Sequence, residues 1–444
     1  MNKPTKENIS IVTEGLESFF EHMIKTQSFN LEEFVNFMEP RFEAAGYREE
    51  LKYNVNGNSG GGSILILTES GAGDFIAMTG AIREIRRIYP DAYITLSAHP
   101  RSLKFAECCP YVDEVILDPQ DFPALDIVEI FKSNIQTSRK LLGQRFDICF
   151  AFAIHPTTPL LMYMSGAKIR LTLVYHENLG RMNNNTLIAY VMKLATHVFP
   201  CSTYGGHIAD DSFSLIENVT HLPITNRKLE VWYTPADVGI AKTFLNGVSG
   251  IIYSLNMGGN LLTNHYPPEK YAKFLEMILT EEPTANFVIL GGGQADLKSA
   301  AIIKNVAPAI YDKKIIDLTN KISYRQSAAV LKFCKVHIGN DTGTMHVAAA
   351  VDCPVLLPNC FAADLPTFPT DVTQCWYPYG VPSVIIQPEH ALSECKNLNF
   401  HHPHGCAANV PHCITQIKPE TLFKGFHLLK ERAAKKICEP LFIH

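Results

Sequence analysis

The sequence has no excess of basic residues. Its 444 residues include 39 lysines and arginines against 44 aspartates and glutamates, which gives a formal net charge of -5. Nucleic-acid-binding domains usually carry a basic excess or a basic stripe, so the composition argues against that class of partner. Hydrophobic residues make up 46% of the chain and charged residues 19%, as in a globular protein with a sizeable core.

Long apolar runs are missing as well. No stretch approaches the ~18 apolar residues of a membrane-spanning helix, and residues 187–199, the most apolar candidate, are interrupted by Lys193 and His197. The first residues, MNKPTKENIS, lack the apolar core of a secretory signal. The 12 cysteines are then more typical of reduced thiols than of a disulfide framework. We expect a cytoplasmic protein; contact with a membrane surface and the oligomeric state stay open.

The sequence also lacks the cysteine spacing that is typical of zinc sites. Residues 395–413 are rich in cysteine and histidine, which are common zinc ligands. The segment contains no CxxC pair, however, so inert thiols are the favoured interpretation and we predict no metal site. The residues concerned are Cys395, Cys406 and Cys413, with His401, His402, His404 and His412.

Hydrophobic periodicity divides the chain into four parts. Residues 1–60 are predicted to be a helical extension followed by a Gly/Asn/Ser linker at 54–63. Strands alternate with helices over residues 61–235, and the alternation restarts over residues 236–425. Such alternation predicts parallel sheets covered by helices, hence an α/β fold of two Rossmann-like domains. Residues 426–444 are predicted to be a C-terminal helical tail.

A glycine-rich turn, Glu69 to Asp74, joins the first predicted strand to its helix. The free N–H groups at such a helix start favour an anion, and Gly71 and Gly73 are candidates for an acceptor or phosphate loop. The dinucleotide motif GxGxxG fails because its third glycine position holds Ile76. Asp74 could accept a proton from a substrate hydroxyl, or it could simply cap the helix. The residues alone rank these two roles about equally.

A second polar turn, Gly339 to His346, also lies between a strand and a helix. Its glycine, hydroxyl and carboxylate residues suit a diphosphate site. His346 falls in the first helical turn, where it could donate to a phosphate oxygen. A buried histidine with one structural partner is the alternative. The candidate donor-binding residues are Asp341, Thr342, Gly343, Thr344 and His346.

A third turn contains Gly291 and Gly292, with Asp296 following closely. Glycines allow a ligand to approach the backbone, and the carboxylate could hold ribose hydroxyls. An ordinary glycine turn with a solvated aspartate is the favoured alternative.

Several stretches resemble the bacterial heptosyltransferases, glycosyltransferase family 9. They are ILILTESGAGDFIAMTGAIREIRRIYPDAYITL, PYVDEVI, VILGGGQADLKSAAII, CAANVPHCITQIKPE and a long segment containing the family's DTGxxH motif and its AAA helix. The resemblance covers residues 63–425 approximately. It implies the GT-B fold, with a nucleotide-sugar donor bound between two Rossmann-like domains.

The resemblance also implies an activity. Family members transfer a sugar, often a heptose from ADP-heptose, to a lipopolysaccharide-type or other glycan, with inversion and without a required metal or cofactor. By that likeness Asp74 is the general base and Asp296 lies close to a position that meets the donor nucleoside. The residues that match the donor diphosphate loop are Asp341, Thr342, Gly343 and His346. Lipid-linked and protein acceptors stay open.

The chain departs from the family where a lysine commonly precedes Trp-Pro. Here the run is Asn264-His265-Tyr266-Pro267, so His265 is the candidate replacement contact to phosphate. The missing lysine and the added helices favour an alternative, a catalytically inactive GT-B-fold binding or scaffold protein, because fold does not fix function. An NAD(P)-dependent oxidoreductase is a further alternative, but this chain lacks the GxGxxG motif of that class. Retention of Asp74 and of the DTGxxH turn favours the transferase.

Overall fold

The chain folds into two compact units, Met1–Arg227 and Lys228–His444. The computed structural model describes residues 3–49, 62–68, 71–118, 127–152, 157–174, 193–200, 206–259, 261–364, 375–392 and 410–444. Most of the linker at 54–63 lies outside these residues. None of the described helices combines the length and the apolar composition needed to cross a bilayer.

The first unit is built on a parallel sheet. Its described strands are β1 (Ser63–Leu67), β2 (Tyr93–Ala98), β3 (Glu114–Leu117), β4 (Ile148–Ala151), β5 (Ile169–Val174) and β6 (His197–Pro200). They are arranged in the order β3-β2-β1-β4-β5-β6. The described helices are α1 (Lys6–Thr26), α2 (Leu31–Ala44), α3 (Ala72–Ile88), α4 (Pro100–Ala106), α5 (Ile127–Leu141), α6 (Thr157–Met164) and α7 (Ile208–Thr220). Every residue of β1 is buried, as expected of a central parallel strand.

The second unit repeats this architecture. Its described strands are β7 (Ile252–Asn256), β8 (Asn286–Ile289), β9 (Ile315–Asp317), β10 (His337–Gly339), β11 (Val355–Pro358), β12 (Ser383–Ile386) and β13 (Pro440–Ile443). They pair in parallel in the order β13-β12-β11-β10-β7-β8-β9. The described helices are α8 (Pro235–Phe244), α9 (Pro268–Glu281), α10 (Gln294–Val306), α11 (Pro308–Lys314), α12 (Tyr324–Leu331), α13 (Gly343–Ala350) and α14 (Pro419–Lys435), with 3-10 turns at Leu262–Asn264 and Cys413–Gln416.

Both sheets share a feature that positions a site. Because the central strands are parallel, their carboxyl ends meet at one edge of each sheet, where ligands of open α/β folds bind. In the second unit the order changes direction between β7 and β10, and the polar turns predicted from the sequence follow β8 and β10. The predicted α/β fold is confirmed.

The N-terminal helices are part of the core of the first unit. Helix α1 starts at a capping box between Thr5 and Asn8, and Asn30 caps α2 through two backbone N–H groups. Their apolar faces pack on α5 and α6 in one buried cluster. Phe34 is fully buried at its centre, and its ring contacts those of Phe19, Phe29, Phe131 and Tyr163 at centroid distances of 4.9 to 5.8 Å.

Replacing Phe34 should therefore destabilise the first unit. We expect Phe34→Ala to lower its free energy of unfolding by about 3–5 kcal/mol, because apolar contacts are lost and a cavity is left. Chemical denaturation followed by tryptophan and tyrosine fluorescence measures this. Ile24→Ala is the matched control, since Ile24 is 54% exposed on α1, and should change stability by about 0.5 kcal/mol or less. Equal effects of the two variants would show that the helices are not part of a cooperative core.

Candidate nucleotide site

Asn256, the last residue of β7, links three segments of the second unit. Its Nδ2 donates to the Leu290 carbonyl at 2.9 Å and to Asp296 Oδ1 at 3.2 Å. Its Oδ1 accepts from Thr342 Oγ1 at 2.8 Å, and its carbonyl accepts from the Asn340 N–H at 3.1 Å. This buried side chain therefore holds the turns that follow β8 and β10 against the end of β7.

Asp296 is buried beside Asn256. Besides that amide, its carboxylate accepts from the N–H of Gly258 at 2.7 Å and from the N–H of Gly292 at 3.1 Å. Burial raises the pKa of Asp296 to about 6, while the two backbone N–H groups oppose that rise. These oxygens join two glycine turns, and the alternative of a solvated aspartate is wrong because Asp296 is buried. The contact with a donor ribose stays a prediction.

Two glycines are required around this carboxylate. A Cβ atom on Gly258 would lie 2.3 Å from Asp296 Cγ, and one on Gly291 would lie 2.4 Å from Asp296 Oδ1. Gly291 also has a φ of +147°, which disfavours other residues. The glycines therefore give room to an internal carboxylate, and Gly292 supplies one of its hydrogen bonds.

Asn340, the residue before the DTGxxH motif, anchors this turn through its side chain. Its Nδ2 donates to the carbonyls of Met257 (2.6 Å) and Gly258 (3.2 Å). Its Oδ1 accepts from the Tyr266 N–H (3.2 Å) and the Tyr271 hydroxyl (3.1 Å). All four side-chain hydrogen-bonding positions are thus used. The side chain ties the turn both to the segment after β7 and to the start of α9.

The start of α13 has no side-chain cap. Thr342 is its N-cap residue but forms no side-chain cap bond, because its hydroxyl is used by Asn256. Gly343 and the buried Thr344 open the helix. Their N–H groups and the positive end of the helix dipole favour an anion here. Asp341 contacts the Asn264 amide at the limit of hydrogen bonding, 3.5 Å.

His346 lies in the first turn of α13 and is only 5% exposed. Burial lowers its pKa to about 4, so the ring is neutral at pH 7. Its Nδ1 has no hydrogen-bond partner among the described residues, and its ring meets Trp376 edge-on at 5.9 Å. A buried, unsatisfied ring nitrogen is costly, so this atom is suited to a hydrogen bond with a bound ligand.

His265 is a poor replacement for a cation. Its Nε2 lies 3.1 Å from the Gly259 carbonyl, which can only accept, so Nε2 carries the hydrogen. Burial lowers the pKa of His265, and this hydrogen bond only partly offsets the effect. His265 is therefore neutral at pH 7, and the hydrogen on Nε2 is already used.

A pocket of about 640 Å³ opens beside these turns. It brings together His265, Gly259 and Gly292 with the first turns of α10. The residues of the DTGxxH turn are not part of its lining, although a Cβ on Gly259 would lie 2.9 Å from Thr342 Cγ2. The pocket and the turn are therefore neighbours in the second unit.

Asp74 is the third residue of α3 in the first unit and is partly exposed. Burial raises its pKa, opposed by hydrogen bonds from the N–H groups of Asp74 and Gly71 and by the charge of Arg101. A Cβ on Gly71 would lie 1.8 Å from Asp74 Oδ2, so glycine is needed there. Gly73 occupies the second position of the helix. The N-cap residue of α3 is thus Gly71 and not Asp74, and burial makes the Asp74 carboxylate more basic than usual.

Some candidates fall outside the described residues. Glu69, Ser70, Cys395, Cys406, His401, His402 and His404 are among them. Cys413 is described and buried, and its Sγ lies 3.5 Å from His412 Nδ1. No group of three metal-ligating side chains occurs in the described part of the chain.

Sequence reasoning missed Asn256 and Asn340, which organise the site. One signal was available: each is a polar residue directly at the carboxyl end of a buried parallel strand, where the ligand crevice lies. Their partners could not be read from the sequence because the hydrogen bonds join positions 34 to 86 residues apart.

The buried charge of Asp296 should make stability depend on pH. Its folded pKa of about 6 exceeds the ordinary 3.8, so the folded state keeps a proton that the unfolded state has released. Stability contributed by this group is therefore present below pH ~4 and is lost as pH rises through ~6, by on the order of 3 kcal/mol. Asp296→Asn should lack this loss, while losing about 1–3 kcal/mol from unsatisfied N–H groups.

Denaturation of both proteins from pH 4 to 7 measures the difference, with Asp312→Asn, at an exposed position on α11, as control. We expect the advantage of the wild type over Asp296→Asn to shrink with rising pH. A difference that is constant over this range would show that Asp296 is ionised throughout.

Comparisons with known proteins show similarity in sequence and in fold. The family model described as glycosyltransferase family 9 (heptosyltransferase) matches residues 138–357, a range that includes the described turns of the second unit but not Asp74. A curated Escherichia coli relative, lipopolysaccharide heptosyltransferase 3, is 20% identical over 287 residues, which cover 64% of this chain and 79% of the relative.

Solved structures share the fold. The glycosyl transferase family 9 structure from Veillonella parvula superposes with a TM-score of 0.64 at 18% identity, covering 83% of this chain and 97% of that one. The E. coli ADP-heptose lps heptosyltransferase II gives 0.58 at 16% identity, covering 84% and 100%. The predicted GT-B architecture is confirmed. In sequence and in fold, the chain is therefore similar to the heptosyltransferase-like glycosyltransferases of family 9.

Proposed function

We propose that the chain transfers a sugar, with inversion, from a nucleotide-sugar donor to an acceptor hydroxyl. The observation that carries the proposal is the uncapped start of α13, held by Asn256 and Asn340 beside a neutral histidine with an unsatisfied Nδ1. A preorganised set of donors is what a leaving diphosphate requires.

The second unit would hold the donor. Negative charge grows on the diphosphate as the bond to the sugar breaks, and the N–H groups at Gly343 and Thr344 with the helix dipole can stabilise it. His346 would add a hydrogen bond from Nδ1–H to a phosphate oxygen. Its neutral state makes it a directional donor rather than a counter-charge.

The first unit would supply the general base. Asp74 takes the proton of the acceptor hydroxyl while the oxygen attacks the anomeric carbon, and the nucleoside diphosphate leaves from the opposite face. Burial raises the pKa of Asp74, and a more basic carboxylate is a better proton acceptor. The hydrogen bond to Gly71 orients it.

The names of the relatives support a first choice of substrates to test. One structural neighbour is named for ADP-heptose, and one curated relative for lipopolysaccharide. We therefore take ADP-heptose as the first donor to test and a lipopolysaccharide-core glycan as the first acceptor, in the cytoplasm. The donor is a substrate, and the proposal gives no role to a metal or a further cofactor.

A thermal-shift panel tests donor binding. The purified chain is heated with ADP-, UDP-, GDP- and CMP-sugars, ADP-heptose included. A ligand at about 100 times its Kd adds ~2.7 kcal/mol of stability, so the right nucleotide should raise Tm clearly. Asp341→Ala should abolish the shift, and Asp312→Ala, at an exposed position, should keep it. No shift with any member of the panel would favour the alternative of a scaffold protein without a donor site.

Measurement of turnover tests whether Asp74 is the general base. Asp74→Asn keeps the side-chain shape but removes the basic oxygen, so we expect kcat to fall about 10²- to 10⁴-fold with the donor Kd unchanged. ADP release in the presence of acceptor measures this, and Asp91→Asn, at an exposed position after α3, is the control. In the wild type, kcat/KM should rise with pH through a value above 3.8. Unchanged turnover in Asp74→Asn would remove it from the mechanism.

A further inference from the structure

The pocket beside α10 is large enough for a sizeable part of a nucleotide. Its volume of about 640 Å³ lies within the ~300–1,000 Å³ of small-molecule sites. Its walls come from the segment after β7, the turn after β8 and the first three turns of α10. Leu262, Tyr266, Ile302 and Pro411 give it an apolar side.

One lining side chain is charged. Among the described lining residues, Lys298 is the one that carries a full charge at neutral pH, since His265 is neutral for the reasons given above. Asp296, on the same helix, does not line the pocket, because its oxygens face the N–H groups of Gly258 and Gly292. The pocket therefore carries a net positive charge.

Backbone N–H groups near Lys298 add further positive character to the pocket. The N–H groups of Gly292 and Gly293 are already used by Asp296 Oδ2 and by Asn320 Oδ1 at 2.8 Å. The next N–H groups belong to the first turn of α10, whose N-cap residue, Gly293, has no side chain to cap them. Lys298 projects from the following turn of the same helix.

We propose that Lys298 is the cationic contact to the donor's diphosphate, in place of the lysine that the run at 264–267 lacks. Gly259 lines the pocket and also approaches Thr342, so a diphosphate held at the start of α13 can reach into it. Lys298 then neutralises part of the phosphate charge, and the apolar side receives the nucleoside. This assignment rests on the proposed nucleotide-sugar site.

Calorimetric titration of the full chain separates the two halves of the nucleotide. ADP, UDP, GDP and CDP are each compared with the corresponding nucleoside, using the wild type, Lys298→Ala and Lys298→Arg. Lys304→Ala is the control, because Lys304 lies on the same helix outside the lining, with its Nζ 5.5 Å from the Tyr311 ring. Lys298 is exposed, so its replacement should leave the fold intact.

We expect Lys298→Ala to weaken the best diphosphate about 10-fold or more, the usual loss for a hydrogen bond to a charged group. Nucleoside binding should change by about 2-fold or less, Lys298→Arg should retain most of the affinity, and Lys304→Ala should match the wild type. Diphosphate binding should also depend less on salt in Lys298→Ala.

Two results would overturn the assignment while leaving the proposed function in place. Unchanged diphosphate binding in Lys298→Ala would show that the lysine makes no contact. Equal weakening of diphosphate and nucleoside would show that it contacts the nucleoside instead. A wild type that binds none of the four diphosphates would overturn the nucleotide-sugar site and this assignment together.

Discussion

The second unit depends on one constraint, the set of buried hydrogen bonds around Asn256. A parallel sheet fixes only where its strands end, and the turns beyond those ends need their own anchors. One amide side chain meets the turn after β8 through Leu290 and Asp296, and the turn after β10 through Thr342. Because an amide has a donor side and an acceptor side, it can join partners of opposite character, which an aspartate or a leucine of similar size could not.

This arrangement explains why polar residues occupy a costly location. Buried polar groups destabilise a protein unless they are hydrogen-bonded, yet Asn256, Asp296 and Asn340 are all at most 3% exposed. Asp296 and Asn340 are satisfied chiefly by backbone groups, and Asn256 by the Leu290 carbonyl and two side chains. The hydrogen bonds that satisfy these side chains therefore also make the turns rigid. His346 differs from these three residues, since its Nδ1 lacks a partner among the described residues, and it lies where the donor phosphates are proposed to bind.

The sequence predicts the elements better than the contacts. The predicted alternation of strands and helices is present in both units, because apolar runs between turn residues signal buried strands. Strand β12 and helices α5 and α7 lack so clear a pattern and were not predicted. The prediction of a helical tail at 426–444 is wrong at its end, because the helix stops at Lys435 and residues 440–443 pair with β12 as β13. His265 was considered as a cation, but burial sets its pKa, and burial depends on the packing of distant segments. Lys298 was not predicted either. An exposed lysine on a helix has no distinguishing sequence pattern, and its position in the pocket wall depends on how distant segments pack.

The cluster that joins α1 and α2 to α5 and α6 has a consequence for synthesis of the chain. Phe19 and Phe34 leave the ribosome well before Phe131 and Tyr163, the rings that complete their packing. At about 5–20 residues per second, the intervening residues take on the order of 10 s to translate. During that interval the nascent N-terminus presents an uncovered aromatic face, which is a substrate for chaperones that bind emerging chains.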